Sequence, residues 1–138
     1  MEAKELRIGN WVLVENDHET IKAITQTAFL CVLDGKGDGY MQLHKDVYPI
    51  PLTEEWLIKF GFKKENNTIY SISDKLSSSE VGKWYFFKNE NNSFTPHIKR
   101  ENKFSWIGKE IKYVHQLQNL YFALTGEELG LQVSPSYI

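Results

Sequence analysis

Four histidines, one cysteine and eighteen acidic residues are the groups in this 138-residue chain that could carry acid–base, nucleophilic or metal chemistry. The histidines, His18, His44, His97 and His115, stand far apart, with no H-x-x-x-H pair and no His–Cys spacing of the kind a zinc site needs. His18 between Asp17 and Glu19, and His44 close to Asp46, are weak donors at best, and scattered surface histidines are the plainer reading. Cys31 lies inside the apolar run "AFLCVL"; being single, it can form neither an internal disulfide nor a thiolate metal site, which fits a reducing cytoplasm. The loop Asp34–Gly39 brushes against a calcium-loop pattern, but Lys36 and Lys45 occupy positions where oxygen ligands are required, so it reads as a glycine-rich hairpin. There is no G-x-S-x-G elbow, no phosphate-cradling loop and no dinucleotide fingerprint, and Ser77–Ser79 reads as loop. The sequence therefore leads to the expectation of no catalytic residue, no metal and no cofactor.

Two other constellations suit binding better than catalysis. The first is "KRENKFSWIGKEIK" at 99–112, where five bases against two acids are interleaved with Phe104 and Trp106. Lys99, Arg100, Lys103 and Lys109 around two aromatic platforms is how single-stranded nucleic acid is gripped. The bland alternative is an amphipathic strand pair with rings inward and lysines outward, and the net charge of −2 for the whole chain favours it.

The second is "YVHQLQNLYFALTGEEL" at 113–129, which reads as a helix ending at Gly126 yet carries no charged residue from Tyr113 to Gly126. At helical spacing Tyr113, Leu117, Leu120, Tyr121 and Leu124 gather on one side, Val114 at its margin. His115, Gln118, Asn119 and Phe122 gather on the other. A wet back would gain about 0.2–0.5 kcal/mol from each i,i+4 ion pair, so their absence implies that this back is covered too. The cover is either the chain's own N-terminal part, which the base rate of one core per small domain favours, or a second copy or partner protein docked on His115, Gln118, Asn119 and Phe122. His115 in that setting reads as a hydrogen-bonded structural histidine rather than a general base.

These groups must be positioned by elements that the pattern also suggests. Short apolar runs from Ile8 onward, "WVLV", "ETIKAIT", "TAFLCVL" and "YMQLH", read as four or five short strands within 8–50, a small SH3-like barrel or bent sheet. Thr53 as N-cap, Glu54 and Glu55 in the first turn and Gly61 as terminator predict a connecting helix over 53–60 plugged in by Trp56 and Phe60. "NTIYSIS", "GKWYFFKN", "SFTPHIK", "KFSWIG" and "KEIKYV" predict an antiparallel meander backed by the C-terminal helix, Pro96 placing its strand at an edge or making it irregular, and the meander plus that helix spans 66–131. The expectation is one compact α+β unit over 1–138. No stretch approaches the roughly 18 apolar residues of a membrane span, the charged N-terminus lacks a signal-peptide core, and the protein is expected in the cytoplasm without a membrane partner. Charge is uneven: residues 15–55 carry −5 and residues 56–112 carry +5, an acidic and a basic stretch expected to attract each other within the fold.

Three blocks together, "LRIGNWV" (6–12), "PLTEEWLIKFGF" (51–62) and "YVHQLQNLYFALTGEEL" (113–129), resemble a group of small proteins from gut-bacterial and phage genomes. The resemblance covers about a quarter of the chain, carries no established activity, cofactor or catalytic residue, and implies a phage or mobile-element origin. The functional expectation is a non-enzymatic accessory or protein-interaction protein, with a protein partner or a homodimer, and with single-stranded nucleic-acid binding through 99–112 as the alternative; an enzyme ranks last.

Overall fold

The computed structural model describes residues 1–33, 37–73 and 83–132, Ala3 and Arg100 by backbone only. The glycine-rich loop falls partly, and Ser77–Ser79 wholly, outside the described residues. The fold is α+β, with two antiparallel sheets and two α-helices in two compact units: 1–51 with 113–128, and 52–112 with 129–138.

The first unit is a meander of β1 (Trp11–Val14), β2 (Asp17–Ile24), β3 (Ala28–Leu33) and β4 (Tyr40–Leu43), hydrogen-bonded in that order. Alternation in β1 sends Val12 and Val14 inward, where they meet Leu6, Ile21, Phe29, Cys31 and Val47 in one buried cluster. The β1–β2 turn takes positive φ at Glu15 and Asn16, the mirror-image turn that matches strand twist and that Asn tolerates. The β2–β3 register shifts between Ile21 and Ala23, a bulge that bends the sheet. After β4 a 3-10 turn at His44–Asp46 leads to Tyr48, which bonds both ways with Leu13 of β1, at 2.8 and 2.9 Å. One outer strand is thus partly covered, while β4 has a strand neighbour only in β3. Gly39, at the start of β4, has φ +77° and lies so close to the Cys31 carbonyl that a Cβ would collide with it.

The unit is completed by α2 (Val114–Thr125), which lies against β1. Its entry is tied by the Val114 N–H to Ile50 O bond, 2.9 Å, and by Gln116 Oε1 accepting from the Tyr113 N–H, 3.1 Å. Gly126, left-handed at φ +75°, ends it. The sequence assigned this helix to the second sheet; its contacts place it with the first unit.

The second unit begins with α1 (Glu54–Lys59). Thr53 caps it through the Trp56 N–H, and Glu55 pairs with Lys59 one turn on. Gly61 follows at φ +95°, and Trp56, Leu57 and Phe60 are buried as expected. The sheet runs β5 (Lys63–Lys64), β6 (Ile69–Ser73), β7 (Lys83–Lys88), β8 (Phe94–Arg100) and β9 (Lys103–Trp106) in sequence order. Phe86 packs edge-on against Phe62, centroids 5.0 Å apart, and Tyr70 against Phe94 at 5.9 Å.

Two expectations fail here for identifiable reasons. Pro96 lies in a strand with neighbours on both sides. Its carbonyl accepts the Ile107 N–H, so its own nitrogen faces the same side, where β9 has already ended at Trp106 and no donor is required. "KEIKYV" forms no strand: Ile111 makes an isolated bridge with Phe94 and Tyr113 another with Pro51. None of the described helices is long and apolar enough to cross a membrane.

Candidate functional site

The uncharged back of α2 is engaged by the first ten or so residues of its own chain. Gln118, 2% exposed, accepts from the Trp11 N–H at 2.8 Å and donates to Gly9 O at 3.1 Å. Asn119 accepts from the Asn10 side chain at 2.9 Å and donates to Glu5 O at 3.1 Å. Two amides thus serve the irregular backbone ahead of β1, work that Lys or Glu at the same positions could not do without stranding a charge. His115 is buried, its ring stacked on Tyr113 with centroids 5.9 Å apart, and its Nδ1 has no hydrogen-bond partner among the described residues. Burial holds its imidazole below the usual pKa, with Glu5 pulling partly the other way. Phe122, expected to be covered, is 39% exposed and lies under the Arg7 guanidinium, 4.2 Å from ring centroid. Arg7 is held in turn by Glu128 at 2.6 Å.

A cleft of about 650 Å³ opens on the same unit, lined by Val14, Glu15, Asp17, Glu19, Cys31 and Leu33 on one side and by Asp38, Tyr40 and Gln42 on the other. The carboxylates come from the β1–β2 turn, from β2 and from the approach to β4. Glu19's carboxyl is pushed above the usual range, first by burial and then by Asp17 and Glu15. Burial, with Glu19 adding to it, pushes the Cys31 thiol up to about 11, so the thiol stays protonated and is a poor nucleophile. Next to the cleft, β4 shows Tyr40 at 80%, Met41 at 53% and Leu43 at 50% exposure. Among the described residues no group of three or more His, Cys, Asp or Glu could hold a metal ion.

In the second unit the basic-aromatic segment is a hairpin. Glu101 and Asn102 take positive φ at its turn, and the register sets Arg100 opposite Lys103, Lys99 opposite Phe104 and His97 opposite Trp106. Lys99, Phe104 and Trp106 therefore share a face, while Lys103 falls on the other and Lys109 lies in the loop beyond β9. The expected inward rings are corrected: Phe104 is 41% and Trp106 78% exposed. Sequence reading missed two groupings. One is the set of rings that β7 and β8 bring to Phe104, namely Tyr85, Phe87 and His97, although the doubly aromatic "KWYFFK" marked that strand as meeting something on each face. The other is the acidic cleft, whose signal was the −5 charge over 15–55. No known protein family, no curated protein and no solved structure matches the sequence.

Proposed function

We propose that the chain is a non-enzymatic interaction protein, a small accessory factor of the phage or mobile-element kind that its resemblance implies. Its first unit is SH3-like in plan and takes an extended, basic segment of a partner protein along β4. The plan is supported by the order of elements: a four-strand meander, a 3-10 turn, then a return to pair with the first strand at Leu13 and Tyr48. One observation carries the binding: the apolar, exposed strand Tyr40–Leu43 borders a cleft bearing Glu15, Asp17, Glu19 and Asp38. An outer strand offers backbone hydrogen bonds to an added strand, and the cleft offers carboxylates and the Tyr40 ring to a Lys or Arg side chain. Glu19 is raised first by burial and then by Asp17 and Glu15, and a cation arriving there would relieve the second, repulsive part. Catalysis is disfavoured by the state of the obvious groups, a thiol protonated to about 11 and a buried imidazole whose Nδ1 meets no partner among the described residues.

The test is titration of a fluorescent library of extended Lys/Arg-containing peptides, with acidic peptides as control. The expected result is preferential binding of basic peptides, weakened about tenfold or more by Asp17→Lys with Glu19→Lys, in line with like-charge juxtaposition at an interface. No preference for basic peptides, or equal binding by the variant, would sink the reading.

A further inference from the structure

The second sheet carries a face that this function does not use. Along it, exposure rises from the middle of the sheet to its outer strand: Tyr85 5%, His97 9%, Phe104 41%, Trp106 78%. The inner rings fix the outer one, Phe104 meeting Tyr85 at 5.1 Å, Phe87 at 4.9 Å and His97 at 6.4 Å, each edge to face. Phe87 and His97 are themselves in contact at 4.2 Å. Phe104 is thus a braced platform rather than a mobile side chain, and Trp106, opposite His97, extends it into solvent.

Lys99 shares this face with the rings, while Lys83, over the Tyr85 ring, is already paired with Glu65. Lys99 Nζ stands 5.6 Å from the Phe104 centroid. Lys99, Lys103 and Lys109 form no ion pair among the described residues. The nearby acid Glu110 is already engaged, accepting from Ser93 at 2.8 Å and Asn91 at 3.4 Å and pairing with Lys112 at 3.4 Å. Planar rings open to stacking, with Lys99 beside them and in no ion pair among the described residues, complement a ligand that is flat, apolar and anionic in alternation. That is a nucleotide strand with its bases unstacked. A duplex keeps its bases stacked within itself and would leave Trp106 wet. An acidic protein segment would answer the lysines but not the exposed indole.

We propose that this face of the second unit binds single-stranded nucleic acid, with successive bases stacked on Trp106 and Phe104 and a phosphate met by Lys99. The site is independent of the peptide cleft, since every residue in it belongs to 83–112.

The probe is a fluorescein-labelled thymidine or uridine homopolymer of about 20 nucleotides, read by anisotropy from about 50 to 200 mM salt, with a duplex of equal length, heparin and an acidic peptide as competitors. The wild type is expected to bind, to weaken as salt rises, and to prefer single strands over duplex. Trp106→Ala is expected to weaken binding about 5- to 100-fold, the loss of one stacked base, while Trp106→Phe retains most of it. Lys99→Ala is expected to reduce the slope of log affinity on log salt by about 0.7, the loss of one phosphate contact. No binding by the wild type at low salt, or an unchanged affinity in Trp106→Ala, overturns the proposal. So does displacement by duplex, heparin or acidic peptide that ignores Trp106. Should Trp106→Ala melt earlier than wild type, the phenylalanine and Lys99 variants carry the test.

Discussion

His115 and Gln118 sit one helical turn apart in α2 and are both buried, yet they solve the problem of a buried polar group in opposite ways. Gln118 is matched: its carbonyl and its amide each find a backbone partner. His115 leaves Nδ1 without a partner and stays neutral. Because its pKa is depressed from 6.5 by burial, the unfolded chain binds a proton that the folded one refuses as pH falls through about 6.5. The sign follows: stability is fully present above that value and declines below it, until the folded imidazole protonates as well. Urea melts at about pH 7.5 and 5.5 should show this decline in the wild type, and His115→Phe, which has no proton to take up, should flatten it. An unchanged pH dependence in the variant would assign the effect to other groups. At this scale much was legible in the sequence. Burial of His115 beside amides was readable from residue types, but the hydrogen bonding expected of it is not met at Nδ1 among the described residues, and the bonds from Gln118 and Asn119 to Gly9 and Glu5 join positions more than a hundred residues apart, beyond any local pattern.

Among the elements, the charge-free helix shows how a correct segment can carry a wrong rotation. Its limits were plain from Gly126 and from the periodicity, and its back is covered by the chain's own N-terminal residues. The stripe that faces inward, however, is Val114, Leu117, Gln118 and Tyr121, not one centred on Leu120 and Leu124. Leu124 is 50% exposed and Leu120 only half-buried. Counting apolar residues misplaces the face because Gln118, apolar in no scale, sits at its centre to serve backbone amides. The rotation makes a sharp contrast: Leu117→Ala, at a site 1% exposed, should cost about 2–5 kcal/mol, and Leu124→Ala no more than about 0.5 kcal/mol. Equal midpoint shifts in chemical denaturation would mean the helix is turned the other way. The same distinction explains the strands. Short apolar runs such as "WVLV" were readable, and "KEIKYV" was not, because it alternates like a strand but meets only isolated partners at Ile111 and Tyr113.

For the molecule as a whole, the uneven charge of the sequence admits two meanings. Opposite stretches can neutralise each other, or each can be held for a ligand of the other sign. Within the first unit, Glu15, Asp17, Glu19 and Asp38 line one cleft, and Glu19 is kept above its usual range by burial first and by its acidic neighbours Asp17 and Glu15 second. Within the second unit, Lys59, Lys64, Lys83 and Lys112 have carboxylate partners, while Lys99, beside the exposed rings, and Lys103 and Lys109 form no ion pair among the described residues. The second meaning leads to a double dissociation. Asp17→Lys with Glu19→Lys should weaken basic-peptide binding about tenfold or more and leave oligonucleotide anisotropy near wild type, since the stacking residues belong to the other unit. Trp106→Ala should do the reverse, losing the oligonucleotide and keeping the peptide. If both variants lose both ligands, the two sites are one coupled surface or the substitutions unfold the chain, which circular dichroism of each variant distinguishes. If the acidic-cleft variant alone loses both, the oligonucleotide signal depends on the first unit, and the stacking platform of Phe104 and Trp106 is not where the strand binds.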